Sequence, residues 1–315
     1  TFFCPGYRMV DGQRIKCWRT IGHGSQHLSE GVKNSCNCVF MDLALRMGTE
    51  KFYDYLEKFG FGSKTGVDFF SESSGLLMNE KNVKTVDLAR IGFGQAVAVT
   101  PLQLVSGVAA VVNGGIYHTP HFVNNITDGM GNVLYTFSDE NRRVLSESSS
   151  EKMRALLEAV VSEGSGKKAA VDGYRIGGKT GTAQKYENGA IAQGKYVSSF
   201  VGFAPASDPQ YAILMVVDEP SSYAYYGSIV AAPYVGQVFK KIFDYKGIAP
   251  TEEIKEKEYV EMPFFDGKGL NECVNALEAL GLNYEIAGEG EKVVSTLPLV
   301  GEKVEKGDIV LLRTE

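Results

Sequence analysis

No apolar run in this chain reaches the roughly 18–20 residues that a membrane-crossing helix needs. No basic-then-apolar leader opens it either: Thr1-Phe2-Phe3-Cys4 carries neither a Met nor a charged n-region. So abrupt a start is what a fragment with a missing upstream part would show. Positive charge is also short. The formal charge of −6 over 315 residues argues against nucleic acid as a partner. Cysteine is scarce at five residues, yet four of them fall within the first 38, and the paired Cys-x2-Cys knuckle of common zinc folds is absent. What remains is ordinary globular material, 44% hydrophobic and 22% charged, long enough for more than one domain.

The clustered cysteines spell Cys4-x12-Cys17-x5-His23-x12-Cys36, with Cys38 just beyond. Three thiols and one imidazole suit tetrahedral zinc. The competing reading is a Cys4–Cys17 disulfide, with Cys36 and Cys38 as small core residues.

A second stretch, Gly177-Gly178-Lys179-Thr180-Gly181-Thr182-Ala183-Gln184, organises the chain. Gly173 to Thr180 satisfies the phosphate-binding pattern G-x-x-x-x-G-K-T. That reading needs an apolar strand before the first Gly and a helix after the Lys-Thr pair. Upstream, however, Gly166 to Asp172 is a polar loop, and downstream Tyr196 to Ala204 reads as a strand. An edge strand fits better. On it Lys179 supplies a fixed cation, while the Thr180 and Thr182 hydroxyls supply donors for a carboxylate. Gly181 leaves room for a ligand backbone, and a backbone N–H near Thr182 can serve an oxyanion hole, where one donor is worth about 3–4 kcal/mol of barrier. The triplet alone is weak evidence, since Ser63-Lys64-Thr65-Gly66 repeats it in what reads as a turn.

Taken in order, Gly31 to Met47 reads as a loop entering a helix, where Ser35 would be an ordinary N-cap. Thr49 to Phe59 is an amphipathic helix capped by its Thr. Thr100-Pro101 starts a helix that stops at Asn113-Gly114-Gly115 and is apolar nearly all round, hence buried. Phe122 to Phe137 reads as a hairpin turning near Asp128-Gly129, and Ser148 to Ser162 as a helix. Tyr174 to Gln184, Tyr196 to Ala204 and Tyr211 to Val217 are strands joined by loops too short for crossovers, hence antiparallel. Ser228 to Tyr245 closes the unit as a helix, giving an α+β domain over residues 1–247. A charged, Pro-containing linker (248–258) leads to a small α+β unit (259–315) with a helix over Asn271 to Leu280 and short strands after it.

Ser35-x-Asn37, then Gly92-x-Gly94-Gln95 leading to Thr100-Pro101-Leu102-Gln103, then Lys179-Thr180-Gly181-Thr182-Ala183-Gln184 follow one another in an order that resembles class B penicillin-binding proteins. These are the D,D-transpeptidases that cross-link peptidoglycan. The tail resembles a PASTA domain, with Met262-Pro263 opening it, Gly281-Leu282 ending its helix and Val304-x-x-Gly307-Asp308 before the last strand. A single such unit looks like division- or sporulation-type proteins of Gram-positive bacteria.

The resemblance implies a serine that attacks the penultimate D-Ala carbonyl of a stem peptide. It places Ser35 in the proton relay to the leaving amine and Asn37 at the substrate amide or the lysine base. Lys179 would set the electrostatics, with Thr180 and Thr182 on the terminal carboxylate of the peptide or of a β-lactam. It also implies an extracytoplasmic enzyme anchored by an N-terminal helix that this chain does not hold, working beside membrane proteins of cell-wall synthesis. Catalysis would need no cofactor. Zinc gains weight, because some elongation-type members hold one near the second box with a His in Gly-His-Gly, here Gly22-His23-Gly24, and Cys4 and Cys17 stand where acidic ligands might. One departure matters. The Ser-x-x-Lys box should precede Ser35, yet Ser149-x-x-Lys152 and Ser165-x-x-Lys168 both come after it. The nucleophile is therefore expected upstream of Thr1, and the fragment alone is expected to be inactive. A non-catalytic β-lactam, muropeptide or scaffold module is the alternative of a different class. A serine β-lactamase ranks below it and a P-loop ATPase last.

Overall fold

A computed structural model describes residues 1–187, 190–221, 224–253, 258–288 and 290–315. The N-terminal region is built from short strands that the sequence reading leaves out. β1 (Phe2–Cys4) pairs antiparallel with β4 (Gly24–Gln26), and β2 (Tyr7–Val10) with β3 (Gln13–Lys16). Asp11 and Gly12 turn the β2–β3 hairpin with φ of 46° and 75°, the doubly left-handed turn that Asp-Gly favours. Helices α1 (Leu28–Lys33), α2 (Asn37–Met47), α3 (Thr49–Lys58) and α4 (Thr85–Gly92) follow. Two capping assignments change. Cys36, not Ser35, is the N-cap of α2. Gly48, at φ 79°, ends α2 and opens α3, so Thr49 is the first helical residue rather than the cap. Helices α2 and α4 approach closely because Gly92 is bare: a Cβ there would lie 2.5 Å from that of Ala44.

α5 (Pro101–Val112) begins as expected, with the Thr100 hydroxyl accepting from the Gln103 N–H. No residue of α5 after Pro101 is exposed. Beyond it, β5 (Ile116–His118) pairs with β8 (Asn141–Arg143), enclosing the hairpin of β6 (Asn125–Thr127) and β7 (Val133–Thr136). α6 (Glu147–Ser162) is capped by Ser146. The main sheet then forms from β9 (Gly177–Glu187), β10 (Ala190–Ala204) and β11 (Tyr211–Asp218), antiparallel and in the order β11-β10-β9. β9 is thus an edge strand among the described residues. The single closing helix of the sequence reading is two pieces, α7 (Gly227–Val230) and α8 (Ala232–Lys246). Pro233, in the first turn of α8, lacks the N–H that would continue the ladder from α7. Val235, Phe239 and Phe243 of α8 pack on Ile176 and Phe200 beneath the sheet.

The described residues divide into two compact units, the first made of Thr1–Ser221 with Tyr225–Thr251 and the second centred on Glu252–Glu315. Part of the expected linker, residues 254–257, lies outside the described residues. In the second unit β12 (Tyr259–Glu261) pairs with β15 (Lys303–Glu305), and α9 (Leu270–Ala279) precedes a mixed sheet. In that sheet β16 (Ile309–Thr314) runs parallel to β13 (Asn283–Ala287) and antiparallel to β14 (Val293–Leu297). Cys273 and Leu277 of α9 are fully buried in its core with Met262 and Leu312. Both units are α+β. No helix among the described residues is long and apolar enough to cross a membrane.

Candidate active site

Glycine is what lets β9 lie flat on its neighbour. Gly177 and Gly178 face Phe203 and Gly202 in the ladder, and a Cβ on them would fall 2.1 Å from Phe203 and 2.5 Å from Phe200. Gly181 lies on the edge of this strand that is unpaired among the described residues. The space of its missing side chain is taken by the Ser199 hydroxyl, 2.5 Å from where a Cβ would sit. Lys179 stands between these glycines on the edge strand, not at a helix opening, which removes the phosphate reading. The second Lys-Thr-Gly copy lies in an irregular loop, where the Thr65 N–H and hydroxyl donate to Glu72 at 2.8 and 2.6 Å.

Ser35 comes to Lys179 from the far end of the chain. It sits between α1 and α2 at φ 51°, a left-handed conformation that a residue with a side chain holds at a cost of about 1–3 kcal/mol. Its N–H donates to the Val32 carbonyl and that of Cys36 to Gly31, which fixes the turn. Because Cys36 occupies the cap, the Ser35 hydroxyl is free of capping and accepts from Lys179 Nζ at 2.6 Å. The ammonium also donates to the Thr180 carbonyl at 3.0 Å. Lys179 is half-buried as a residue, but its charged end lies deep among protein atoms. Lost hydration pulls its pKa down to about 8. Near neutral pH the group therefore passes easily between ammonium and amine while touching a hydroxyl.

The other expected residues are placed as follows. Thr180 Oγ1 lies 3.2 Å from Ser165 Oγ. Thr182 Oγ1 accepts from the Gly227 N–H at 3.0 Å, which leaves its own proton free to donate. Asn37 is brought beside Ser35 by sequence, but its amide donates to the Lys16 carbonyl at 3.3 Å. It makes no hydrogen bond to Ser35 or Lys179 among the described residues. Two residues escape sequence reasoning. Ser165, rejected as a nucleophile, lines the strand through Thr180. Gly227 closes on β9 so tightly that a Cβ would strike the Ser199 and Gly181 carbonyls at 2.3 and 2.4 Å. Only the small residue itself signals it.

All five cysteines are free thiols, so the Cys4–Cys17 disulfide does not form. The sulfurs of Cys4, Cys17, Cys36 and Cys38 lie within 4.8 Å of one another, all buried. Three of the expected set of Cys4, Cys17, His23 and Cys36 are in this cluster, and Cys38 joins them because α2 turns it inward beside its own cap residue. His23 remains adjacent, with Nδ1 3.6 Å from Cys4 Sγ and 3.7 Å from Cys17 Sγ, while its Nε2 is buried without a partner among the described residues. Hydrogen bonds from Cys17 and Cys38 hold the Cys36 thiol well below its usual range. The bond to Cys36 pushes Cys17 up to about 12, and Cys38 is raised by its bonds to Cys17 and Cys36. A buried four-thiol donor set of this kind fits a thiophilic ion such as zinc.

An antiparallel sheet whose edge carries Lys-Thr-Gly-Thr against a Ser-x-Asn turn is the arrangement of a penicillin-interacting enzyme. Comparison with known proteins agrees. Residues 1–244 match the penicillin binding protein transpeptidase domain, and residues 260–315 match the PASTA domain. Stage V sporulation protein D of Bacillus subtilis is 39% identical over 315 residues, covering 97% of this chain and 48% of that protein. A probable peptidoglycan D,D-transpeptidase, PenA, of Neisseria gonorrhoeae is 31% identical over 71% of this chain and 37% of its own length. Among solved structures, penicillin binding protein 3 of Mycobacterium tuberculosis complexed with ampicillin aligns with TM-score 0.74 at 27% identity, covering 80% of this chain and 58% of that one. The transpeptidase domain of Burkholderia pseudomallei penicillin-binding protein 3 gives 0.71 at 26%, covering 80% and 74%. The chain belongs to the class B penicillin-binding proteins, as a transpeptidase domain followed by a PASTA domain. It spans about half the length of the Bacillus relative and less than that of the Neisseria one.

Proposed function

We propose that the protein of which this chain is part cross-links peptidoglycan through a serine acyl-enzyme. The observation that carries this is the 2.6 Å contact between Lys179 Nζ and Ser35 Oγ. The acylated serine and its lysine base would come from a Ser-x-x-Lys box upstream of Thr1. That serine adds to the penultimate D-Ala carbonyl of a stem peptide, and the terminal D-Ala leaves as its amine after taking a proton. Ser35 and Lys179 form the relay for that proton, with burial drawing the Lys179 pKa down to about 8. An amine from a neighbouring stem then attacks the ester, losing its proton as the serine regains one. One amide is broken and one is formed.

The free proton of Thr182, with Thr180 and Ser165 beside it, suits the terminal carboxylate of the peptide or of a β-lactam. The Thr182 N–H supplies an oxyanion donor, and Asn37 turns from Lys16 to the substrate amide on binding. Work on cell wall places the domain on the extracytoplasmic face, held by an upstream membrane anchor and beside membrane proteins of wall synthesis. The PASTA unit and the similarity to a sporulation protein favour a role in division or sporulation. A zinc ion in the thiol cluster would be structural, supplying cross-links and no chemistry.

Fluorescent penicillin tests the reading on a protein extended to the length of these relatives. A stable adduct supports a transpeptidase, rapid turnover points to a β-lactamase, and no labelling at all leaves a binding module. The 315-residue chain alone is expected not to label.

A further inference from the structure

Five donor side chains crowd one buried place behind the Ser35 turn: the thiols of Cys4, Cys17, Cys36 and Cys38 and the imidazole of His23. A tetrahedral ion takes four. Cys4, Cys17 and Cys36 belong to either choice, so the fourth ligand is Cys38 or His23. Resting on the metal reading above, we propose that the fourth ligand is Cys38, that His23 stands outside the ion as a hydrogen-bond donor, and that the bound ion clamps the Ser35–Asn37 turn from behind.

Distance supports the thiols. Their sulfurs all lie within 4.8 Å of one another, and a tetrahedron with metal–sulfur bonds of about 2.3 Å has edges of about 3.8 Å. Small side-chain adjustments close that difference. Distance admits His23 as well, with Nδ1 3.6 and 3.7 Å from two of the sulfurs; its second nitrogen is the obstacle. A metal-bound imidazole almost always donates its other N–H to a carboxylate, a carbonyl or a water. Here Nδ1 is the atom facing the thiols, so ligation through it would leave Nε2–H as the outer donor, and Nε2 is buried with no partner among the described residues. With the proton on Nδ1 instead, the ring donates to Cys4 and Cys17, and Nε2 keeps only a bare lone pair. A buried acceptor without a partner is the cheaper orphan. The N–H···S bonds also offset part of the charge that four thiolates place on a divalent ion.

The choice of ligand has a consequence for the turn. Cys36 is the cap of α2, and Cys38 lies in its first turn, so these two thiols bracket Asn37 and follow directly on Ser35. An ion held by both fixes both ends of that turn, whereas three thiols and His23 would fix one. The left-handed Ser35, held at φ 51°, is then secured against Lys179 by a cross-link to β1 and to the residue after β3.

Cobalt(II) substitution of the reduced protein reads the ligand set, since the sulfur-to-metal charge-transfer absorption scales with the number of thiolates bound. We expect one ion per chain, an undiminished intensity at saturation in His23→Gln, and a loss of about a quarter of it in Cys38→Ser, which removes one of four thiolates. His23→Gln should weaken affinity about 10–100-fold, as loss of an outer-shell partner does. Amide hydrogen exchange supplies a readout independent of the variants. Chelation of the unaltered protein should raise exchange at residues 35–38 at least ten-fold while α8 stays protected. Full intensity in Cys38→Ser would overturn the ligand assignment and leave the metal standing. Unchanged exchange at residues 35–38 would overturn the clamp. A reduced protein that binds no cobalt or zinc would overturn the metal reading and this inference with it, without touching the transpeptidase assignment.

Discussion

The Lys179 ammonium donates to the Ser35 hydroxyl at 2.6 Å across 144 residues of chain. Neither residue has a carboxylate as partner there among the described residues. The pair is held by geometry on both sides: an edge strand flattened by glycines, and a turn whose cap is supplied by the next residue. Removing either member should abolish the relay without disturbing the fold. In a protein extended to carry the nucleophile, Lys179→Met and Ser35→Ala should each slow acylation by fluorescent penicillin about 100-fold or more, a factor within what general acid–base catalysis supplies. The double variant should be little worse than either single one, because the two groups act as a unit. Additive losses in stopped-flow labelling would mean that they act separately.

Burial of Lys179 sets the sign of a pH effect on stability. Its pKa falls from 10.5 unfolded to about 8 folded, so the cost of burying the charge is fully present below pH 8 and fades as pH rises to 10.5. Across that window the unfolded chain binds more protons, and the native protein gains at most about 1.4 kcal/mol per pH unit from this group. Lys179→Met removes the cost outright. Below pH 8 it should therefore be more stable than the native protein, with the gap narrowing toward pH 10.5. Urea titrations at pH 7, 9 and 10.5 read this; a gap that widens with pH would refute it.

The edge strand, the antiparallel trio, the Thr100 cap and the second unit's helix are legible in the sequence because each depends on local patterning: period, turn residues, and Thr followed by Pro. The Ser35 turn is legible only as a box of letters. Its conformation depends on Cys36 taking the cap and on contacts with Lys179 far along the chain, neither of which periodicity records. The thiol set is half legible. Spacing points to Cys4, Cys17 and Cys36, but Cys38 enters through the rotation of α2, and a sequence does not show which way a first turn faces. The short strands β1 to β4 pair in threes and fours of residues, below what alternation can reveal. The break between α7 and α8 has a visible mark in Pro233, but a Pro in a first turn is as common at a helix start as at a break.

Gln103 illustrates a motif residue whose work is structural. Fully buried, its amide donates to the Ser63 and Ser74 carbonyls at 2.6 and 3.0 Å, while its oxygen accepts from the Thr100 N–H at 2.8 Å. It ties the loop before α4 to the start of α5. Gln103→Leu keeps the volume and strands these buried groups, at about 1–3 kcal/mol for each one left unsatisfied. Thermal unfolding should drop by several degrees, and limited proteolysis should open the 61–75 loop first. An unchanged melting temperature would show that water substitutes for the amide.

The glycines of β9 make the last prediction, and the sharpest on packing. A methyl at position 177 would sit 2.1 Å from Phe203 Cζ, and Phe203 is fully buried with no space to retreat. Gly177→Ala should therefore cost more than the about 1–3 kcal/mol usual for overpacking and should shift β9 against β10. Phe203→Leu alone leaves a partial cavity and should cost about 1–3 kcal/mol, below the range for truncation to Ala. Combined, the added methyl occupies the space the ring vacates, so the double variant should be more stable than the sum of the singles predicts by about 1 kcal/mol or more, within the range for residues in contact. Denaturant titration of the four proteins measures that coupling. If the clash at 177 is what holds glycine there, the double variant should also recover Lys179-dependent labelling in the extended protein. A recovered fold without recovered labelling would mean that the strand must sit at its native distance from Ser35 to within a fraction of an ångström.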